Sequence, residues 1–428
     1  MNNPIAKVRQ AFKDPVLRKK ILFTFFIFFI FRVFAFLPIP AVNLDRLQDL
    51  FAQNQFFALL DIFSGGTLVN FSVMALGLAP YINASIIMQL LTVVVPKFEE
   101  LSKEGEYGRA KINQYTRFLT LPITLVQGVG MFILLRNQQI IGNLNFIEFL
   151  SFITTITAGS FILMWLGELI SEFGLANGIS LIIFAGIVTR VPVSLMQTVS
   201  TINQETLLST LFILVFIIAV IFAVVFINQA VRKVPVYYAK RIRGNKMYQG
   251  ATNFLPLRLN QAGVIPIIFA ISFVLFPQLI GNFFTASSNE TLANIAKFLV
   301  QIFNPSSLFY NLFYFILVVA FTFFYTAIVF NPDKISQEIQ KHGGFIPGIR
   351  PGEATKKYLQ TILYRITSVG AVFLGLVAIM PSIMSALTGT EQLIIGGTGV
   401  LIVVSVVLET FKTMETQIAM KNYDKFVR

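Results

Sequence analysis

Ten stretches of about 20 predominantly apolar residues are spread over the whole chain, and nothing else in it limits the fold so tightly. They lie near 21–38, 71–95, 118–135, 149–170, 178–196, 207–228, 263–284, 308–330, 362–384 and 393–411. Each is long enough to cross the roughly 30 Å hydrocarbon layer of a bilayer as a helix. A soluble core cannot absorb so much apolar surface: 55% of the 428 residues are hydrophobic, 12% are charged, and 46 are Phe. An all-α polytopic membrane protein is expected. The first run, "ILFTFFIFFIFRVFAFLPIP", lacks a small-residue cleavage site and reads as a span rather than a cleaved signal. With no Cys, and His342 the one histidine, neither a disulfide framework nor a Cys/His metal site is expected.

Charge sets the orientation. Of the 33 Lys and Arg residues, all but Arg32, Arg46, Arg136, Arg190 and Lys297 fall on one side once the N-terminus is placed in the cytoplasm. That asymmetry is the positive-inside signature, and it puts the segment 1–20 and the tail 412–428 both inside. Two inside loops, 229–262 and 331–361, run to about thirty residues each, more than a helix–helix connection needs. Their turn chemistry, "RIRGNKMYQG" and "GGFIPGIRPGE", is mixed with aromatic and apolar residues, so both are expected to be ordered docking surfaces. Lys356 and Lys357 begin the next helix and are expected to anchor it at the head groups.

The spans also repeat. Windows six to ten follow windows one to five at offsets of roughly 186 to 215 residues, and an odd number per half implies two inverted halves, 21–196 and 197–411. Within the windows Arg32 stands nearly alone, with Glu168 and Glu172 at a cytoplasmic end. No acidic pair sits at midplane, where a proton- or ion-coupled carrier keeps its ligands. No phosphate-cradling Gly-rich loop and no Ser–His–Asp set is present. An enzyme is not expected, and no cofactor is called for. A secondary transporter of a small solute is the alternative, and it lacks those ligands. What remains is a passage or scaffold whose energy comes from elsewhere.

One segment fits neither span nor loop. "SGGTLVNFSVMALGLAP", residues 64–80, carries no charge, yet it opens on paired glycines, holds three hydroxyls and an asparagine, and runs into Pro80. Half-polar backbone of this kind is tolerated at membrane depth only inside protein or a water-filled cavity.

Several blocks, in order along the chain, resemble the SecY family, the channel subunits of the general protein-secretion translocon. They include "FSGG" at 63–66, "PYINASIIMQLLTVVVP" at 80–96, "EGEYGRAKINQYTR" at 104–117, "MWLGE" at 164–168 and "NGISLIIFAGIV" at 177–188. "LPLRLNQAGVIPIIFA" at 255–270, "FFYTAIVFNP" at 323–332, "FIPGIRPGEATKKYL" at 345–359 and "GGTGVLIVV" at 396–404 extend the likeness. Arg258 stands where a Lys is common in the family, and the external segments 136–148 and 281–306 do not match clearly.

The resemblance implies ten helices in two pseudo-symmetric halves around an hourglass pore, with a side exit into lipid. It implies a protein-conducting channel that passes unfolded secretory polypeptides and releases membrane segments sideways. The odd segment becomes a plug near 57–73, carrying Phe63, Ser64, Gly65, Gly66, Leu68, Val69, Asn70 and Phe71. Asn70 and Ser72 are expected to meet water, with Leu68, Val69 and Phe71 on the constriction. By the same resemblance, Leu78, Ile82, Ile179, Ile183, Ile268 and Ile402 form an aliphatic pore ring that seals by dewetting. Asn83, Gln127 and Ser272 fall at the side exit, where interhelical hydrogen bonds of roughly 0.6–2 kcal/mol each would hold a gate. Lys240, Arg241, Arg243, Lys246 and Arg350 would dock a SecA-type motor ATPase or a ribosome. Further implied partners are SecE-type and SecG-type small subunits, signal sequences and unfolded preproteins, in a bacterial plasma membrane.

Overall fold

The computed structural model describes residues 11–40, 42–44, 46–47, 61, 64, 66–142, 144–200, 207–238, 241–243, 246–248, 252–284, 289–388 and 396–427. A helix lies over each of the ten apolar windows. In the N-terminal half these are α1 (Pro15–Ala35), α2 (Ala79–Val94), α4 (Glu106–Asn137), α5 (Phe146–Phe173) and α6 (Gly178–Ser200). In the C-terminal half they are α7 (Leu207–Gln229), α8 (Ile265–Phe284), α10 (Leu308–Val329), α12 (Glu353–Thr388) and α13 (Gly396–Val427). Among the described residues six helices are long and apolar enough to span, or seven if α2 is joined to the short α3 (Pro96–Lys103). That pair bends by 98°. Pro96 causes the bend, since it lacks an N–H and pushes Val95 to the extended φ −103°, ψ 115°. Helix starts obey local rules: Asp14 caps α1 by accepting the Val16 N–H at 2.9 Å, and Asn145 with Glu148 forms a reciprocal box on α5.

The two halves repeat their packing. In the first, α2 packs on α4, α4 on α5, α5 on α6, and α1 on both α5 and α6. In the second, α8 packs on α10, α10 on α12, α12 on α13, and α7 on both α12 and α13. Each pair in one list has its counterpart in the other. The halves meet at two seams, one where α8 touches α2 and α4, the other where α6 touches α13. A continuous buried core crosses both seams.

The long loops correct the all-α expectation. The first contributes β1 (Val231–Tyr238), β2 (Arg241–Arg243), β3 (Lys246–Tyr248) and β4 (Thr252–Arg258). The second contributes α11 (Pro332–Lys341) and β5 (Gly344–Phe345). The strands β4, β1 and β5 form one antiparallel sheet, with Val234 opposite Leu255 and Tyr237 opposite Phe345. The sheet, α11 and the start of α12 share a core of their own built from Val234, Val236, Leu257, Ile339, Ile346 and Leu359. The two loops are thus one small domain. The tail also differs from a plain appendage: α13 runs on to Val427, and Met414 packs against Ala11, Leu17 and Ile21 at the other end of the chain.

Candidate functional site

Where the window 71–95 suggests a span, helix α2 begins only at Ala79, because Gly77 turns the backbone out of the helical region and Pro80 favours a helix start in its first turn. Gly77 has φ +60°, and a Cβ there would lie 2.6 Å from the Ser64 Cα. The preceding residues form a chain of turns stapled by their own side chains. The Asp61 carboxylate accepts the N–H groups of Leu68 and Val69, both at 2.9 Å, while its carbonyl accepts the Ser64 hydroxyl at 2.9 Å. The Thr67 hydroxyl lies 2.9 Å from the Ser64 carbonyl and 2.8 Å from that of Met74. A short bridge then fastens the segment to the end of the first span: Ile39 N–H donates to the Phe71 carbonyl, and Val73 N–H to the Leu37 carbonyl, each at 3.0 Å.

Phe71 is fully buried in the left-handed region at φ 39° and stacks on Phe152, with ring centroids 5.8 Å apart. Gly159 of α5 makes this seat possible, since any Cβ there would fall 1.9 Å from the Val73 carbonyl oxygen. Ser72 does not meet water as expected. It is buried, and its hydroxyl oxygen accepts the Met74 N–H at 3.2 Å. Asn70 and Val69 are half-buried. Phe63 and Gly65 lie outside the described residues, and Gly66 takes φ +77° in the turn. Gly77→Val is expected to unseat this segment, because a side chain there meets the Ser64 backbone, and a lower melting temperature of the purified protein would report it.

The six ring candidates come from α2 and its N-cap, α6, α8 and α13, and all belong to the buried core that runs through both halves. Leu78, Ile82, Ile183, Ile268 and Ile402 are buried in it, and Ile179 packs against it half-buried. Leu68 and Phe71 of the stapled segment belong to the same cluster. Leu78 and Ile82 are successive turns of one helix face, joined by the Ile82 N–H to Leu78 carbonyl bond at 2.9 Å. The α6–α13 seam is close-packed: a Cβ at Gly399 would stand 3.2 Å from Ile187.

The other seam is not filled. A cavity of about 70 Å³ lies between α2, α4 and α8, and Asn83, Gln127 and Ser272 all line it, together with Ser64 and Leu68. The three polar residues expected at a side exit thus share one space. Ser272 departs in detail, because its hydroxyl donates to the Ile268 carbonyl of its own helix at 2.9 Å rather than across the seam.

Arg350 stands on a constrained turn of the small domain built from the two long loops. Gly348 and Gly352 take φ +77° and +96°, the Ile349 N–H bonds the Ile346 carbonyl at 3.0 Å, and Ser336 holds the Gly352 carbonyl at 2.7 Å. The Thr355 hydroxyl pins the Arg350 carbonyl at 3.0 Å, and the Arg350 side chain is exposed. Lys356 corrects its expected head-group role, since its ammonium lies 3.1 Å from Asp333 and ties α12 to α11. Arg243 pairs with Lys246 in the β2–β3 hairpin, which also holds Arg241. Lys240 lies outside the described residues.

Sequence reasoning missed Asp61 and Gly159. The signal for the first was available: Asp61 is the only charged residue between Asp49 and Lys97, and a lone carboxylate in an apolar stretch needs donors. Gly159 carried no such signal, because what it accommodates is 86 residues away in the chain.

The comparisons with known proteins agree on one family. The SecY family model matches residues 72–411. A protein translocase subunit SecY of Corynebacterium glutamicum is 41% identical over 99% of this chain and 100% of its own length. Among solved structures, a SecY protein whose plug domain stabilises the closed channel and maintains a membrane seal superposes with a TM-score of 0.66 at 19% identity, covering 94% of this chain and 93% of that one. The channel of the canine ribosome–channel complex from the endoplasmic reticulum superposes with a TM-score of 0.58 at 20% identity, over 93% and 92%.

Proposed function

The chain belongs to the SecY family, and from that premise we infer that it is the protein-conducting subunit of a translocase, a multi-pass membrane protein held closed at rest. One observation carries the reading. The stapled segment and the ring candidates, drawn from both halves, all belong to the continuous apolar core that crosses both seams. An aliphatic constriction excludes ions by dewetting and still deforms around an extended polypeptide, whereas a charged ring would bind charged substrates. The segment 57–73 acts as the plug. Asp61, Ser64 and Thr67 staple its turns from within, so among the described residues leaving its seat breaks only the short backbone bridge to Leu37 and Ile39.

The cavity at the α2–α4–α8 seam supports a lateral gate through which apolar signal sequences and membrane segments reach lipid. The relatives are translocase subunits and channels, so the small-solute transporter is set aside. Ten spans in two inverted halves around an hourglass pore, with both termini cytoplasmic in a bacterial plasma membrane, complete the arrangement. Two kinds of partner supply energy at the cytoplasmic domain, a SecA-type motor ATPase and the ribosome. The ribosome-bound canine channel supports the second. SecE-type and SecG-type subunits complete the complex.

Vesicles holding the purified complex and the motor should move a preprotein to protease protection, and failure with an active motor would overturn the reading. Topology is tested separately. The chain has no Cys, so single Cys residues replacing Arg243 or Arg350 should react with an impermeant thiol reagent only from the cytoplasmic side. Those replacing Asn143 or Asn289 should react only from outside. Reaction of position 243 from outside would refute the ten-span arrangement.

A further inference from the structure

The 13-residue helix α9 (Glu290–Ile302) between α8 and α10 is too short to span a bilayer, and the functions above make no use of it. Its sequence divides the helix into three sides rather than two. Glu290, Asn294, Lys297 and Gln301 recur at helical spacing on one polar stripe. Ala296 and Val300 face α8, where Gly281 lets the helices approach: a Cβ there would fall 2.8 Å from the Val300 Cγ2 and 3.1 Å from the Ala296 carbonyl. On the third side Leu292, Ile295 and Phe298 point away from the protein, exposed to 44%, 53% and 62%. The C-terminal end of α9 is fixed to α10 as well, through Phe303 edge-on to Phe309 at 5.6 Å and to Phe313 at 5.7 Å.

The third side does not stand alone. It adjoins the outward apolar surface of the helices that hold it, Phe284 of α8 and Leu308, Phe309 and Leu312 of α10, all exposed. On spans those faces meet lipid, and the apolar side of α9 continues them beside a polar stripe. We propose that α9 lies in the external leaflet interface, with Leu292, Ile295 and Phe298 among lipid acyl chains and its Lys297 stripe in water, and so holds the outer end of the gate helix α8 at a set depth. An interfacial helix of this kind buries its apolar side about 5–10 Å below the head groups. Because Gly281 keeps α8 and α9 in backbone contact, α8 cannot swing from α2 and α4 without dragging α9 through the leaflet. Lipid packing outside therefore bears on the gate. The proposal rests on the topology given above for the side of the membrane, and on the structure alone for the three-sided helix.

Single Cys residues at 292, 294, 295, 296, 297 and 298, spin-labelled in the complete complex in vesicles, test it. Labels at 292, 295 and 298 should relax strongly with oxygen, which partitions into lipid, and weakly with a water-soluble nickel chelate. Labels at 294 and 297 should show the reverse, and 296 should be shielded from both. High nickel access at 295 and 298 would overturn the proposal, since the side would then face water. Shielding of 295 and 298 from both reagents would overturn it equally, since a protein subunit would then cover the side. Adding the chelate to one side of the vesicles separates the two premises. Access to 297 only from the cytoplasmic side would refute the topology, while an unchanged oxygen pattern would leave the lipid-facing side standing.

Discussion

A channel carrying Arg350→Glu is expected to insert and assemble normally and to lose preprotein translocation together with stimulation of the motor. The turn that carries Arg350 is held by the Thr355 and Ser336 hydroxyls and by two glycines at positive φ, so its backbone has little freedom left. A charge that only orients a span gains nothing from such fixing. An arginine that must meet a partner does, because less entropy is lost on contact. Loss of a central interface arginine costs about 2 kcal/mol or more, so motor affinity should fall roughly 30-fold. Lys356→Glu acts differently. It sets like charge beside Asp333 and Glu353, so its effect is a weakened α11–α12 junction and a modest loss of yield. Translocation into vesicles at equal channel abundance measures both. A normal rate for Arg350→Glu would leave that charge a topology signal and nothing more.

Replacing Ile82, Ile183 and Ile402 together with Gly is expected to open the resting complex to ions. These side chains are buried in the core that also holds Leu68 and Phe71, so on the proposed function their removal leaves a wettable gap. Deleting 62–72 as well should raise conductance further. The deletion takes away Thr67 and the Phe71–Phe152 stack along with the cover. Each Gly also costs about 1 kcal/mol in helix propensity, and each lost buried side chain about 2–5 kcal/mol, so intact complex is quantified first. Ile82→Ala alone is the milder companion and should give a smaller leak. Single-channel recording in planar bilayers reads the result. A silent triple variant with the plug deleted, at normal complex yield, would mean that the seal lies elsewhere.

Local rules made much of the chain legible in advance. Apolar length marked windows that all carry helices, and the paired glycines and Pro80 of the 64–80 stretch mark it as neither span nor plain loop. The Pro–Gly-rich turn around Arg350 was readable because prolines and glycines restrict the chain through their own covalent geometry. The ring and gate candidates were named only through family likeness. Nothing in an isoleucine's neighbourhood along the chain distinguishes a pore face from a lipid face.

The sheet of the two long loops escaped prediction for a different reason. Strand β1 contains Pro235 and alternates only briefly, and its partner β5 lies about a hundred residues on, so neither strand has a strong signal by itself. Ser72 was misjudged because its polarity suggested water, whereas a turn supplied it with a backbone donor. The sequence by itself determined which segments are apolar enough to form membrane helices and where the backbone turns, since transfer free energy and dihedral restriction act over a few residues. Only the tertiary structure decided that Asp61 braces the turns around Leu68, that Gly159 seats Val73 and that Asn83, Gln127 and Ser272 share one cavity, because packing joins residues that the chain keeps far apart.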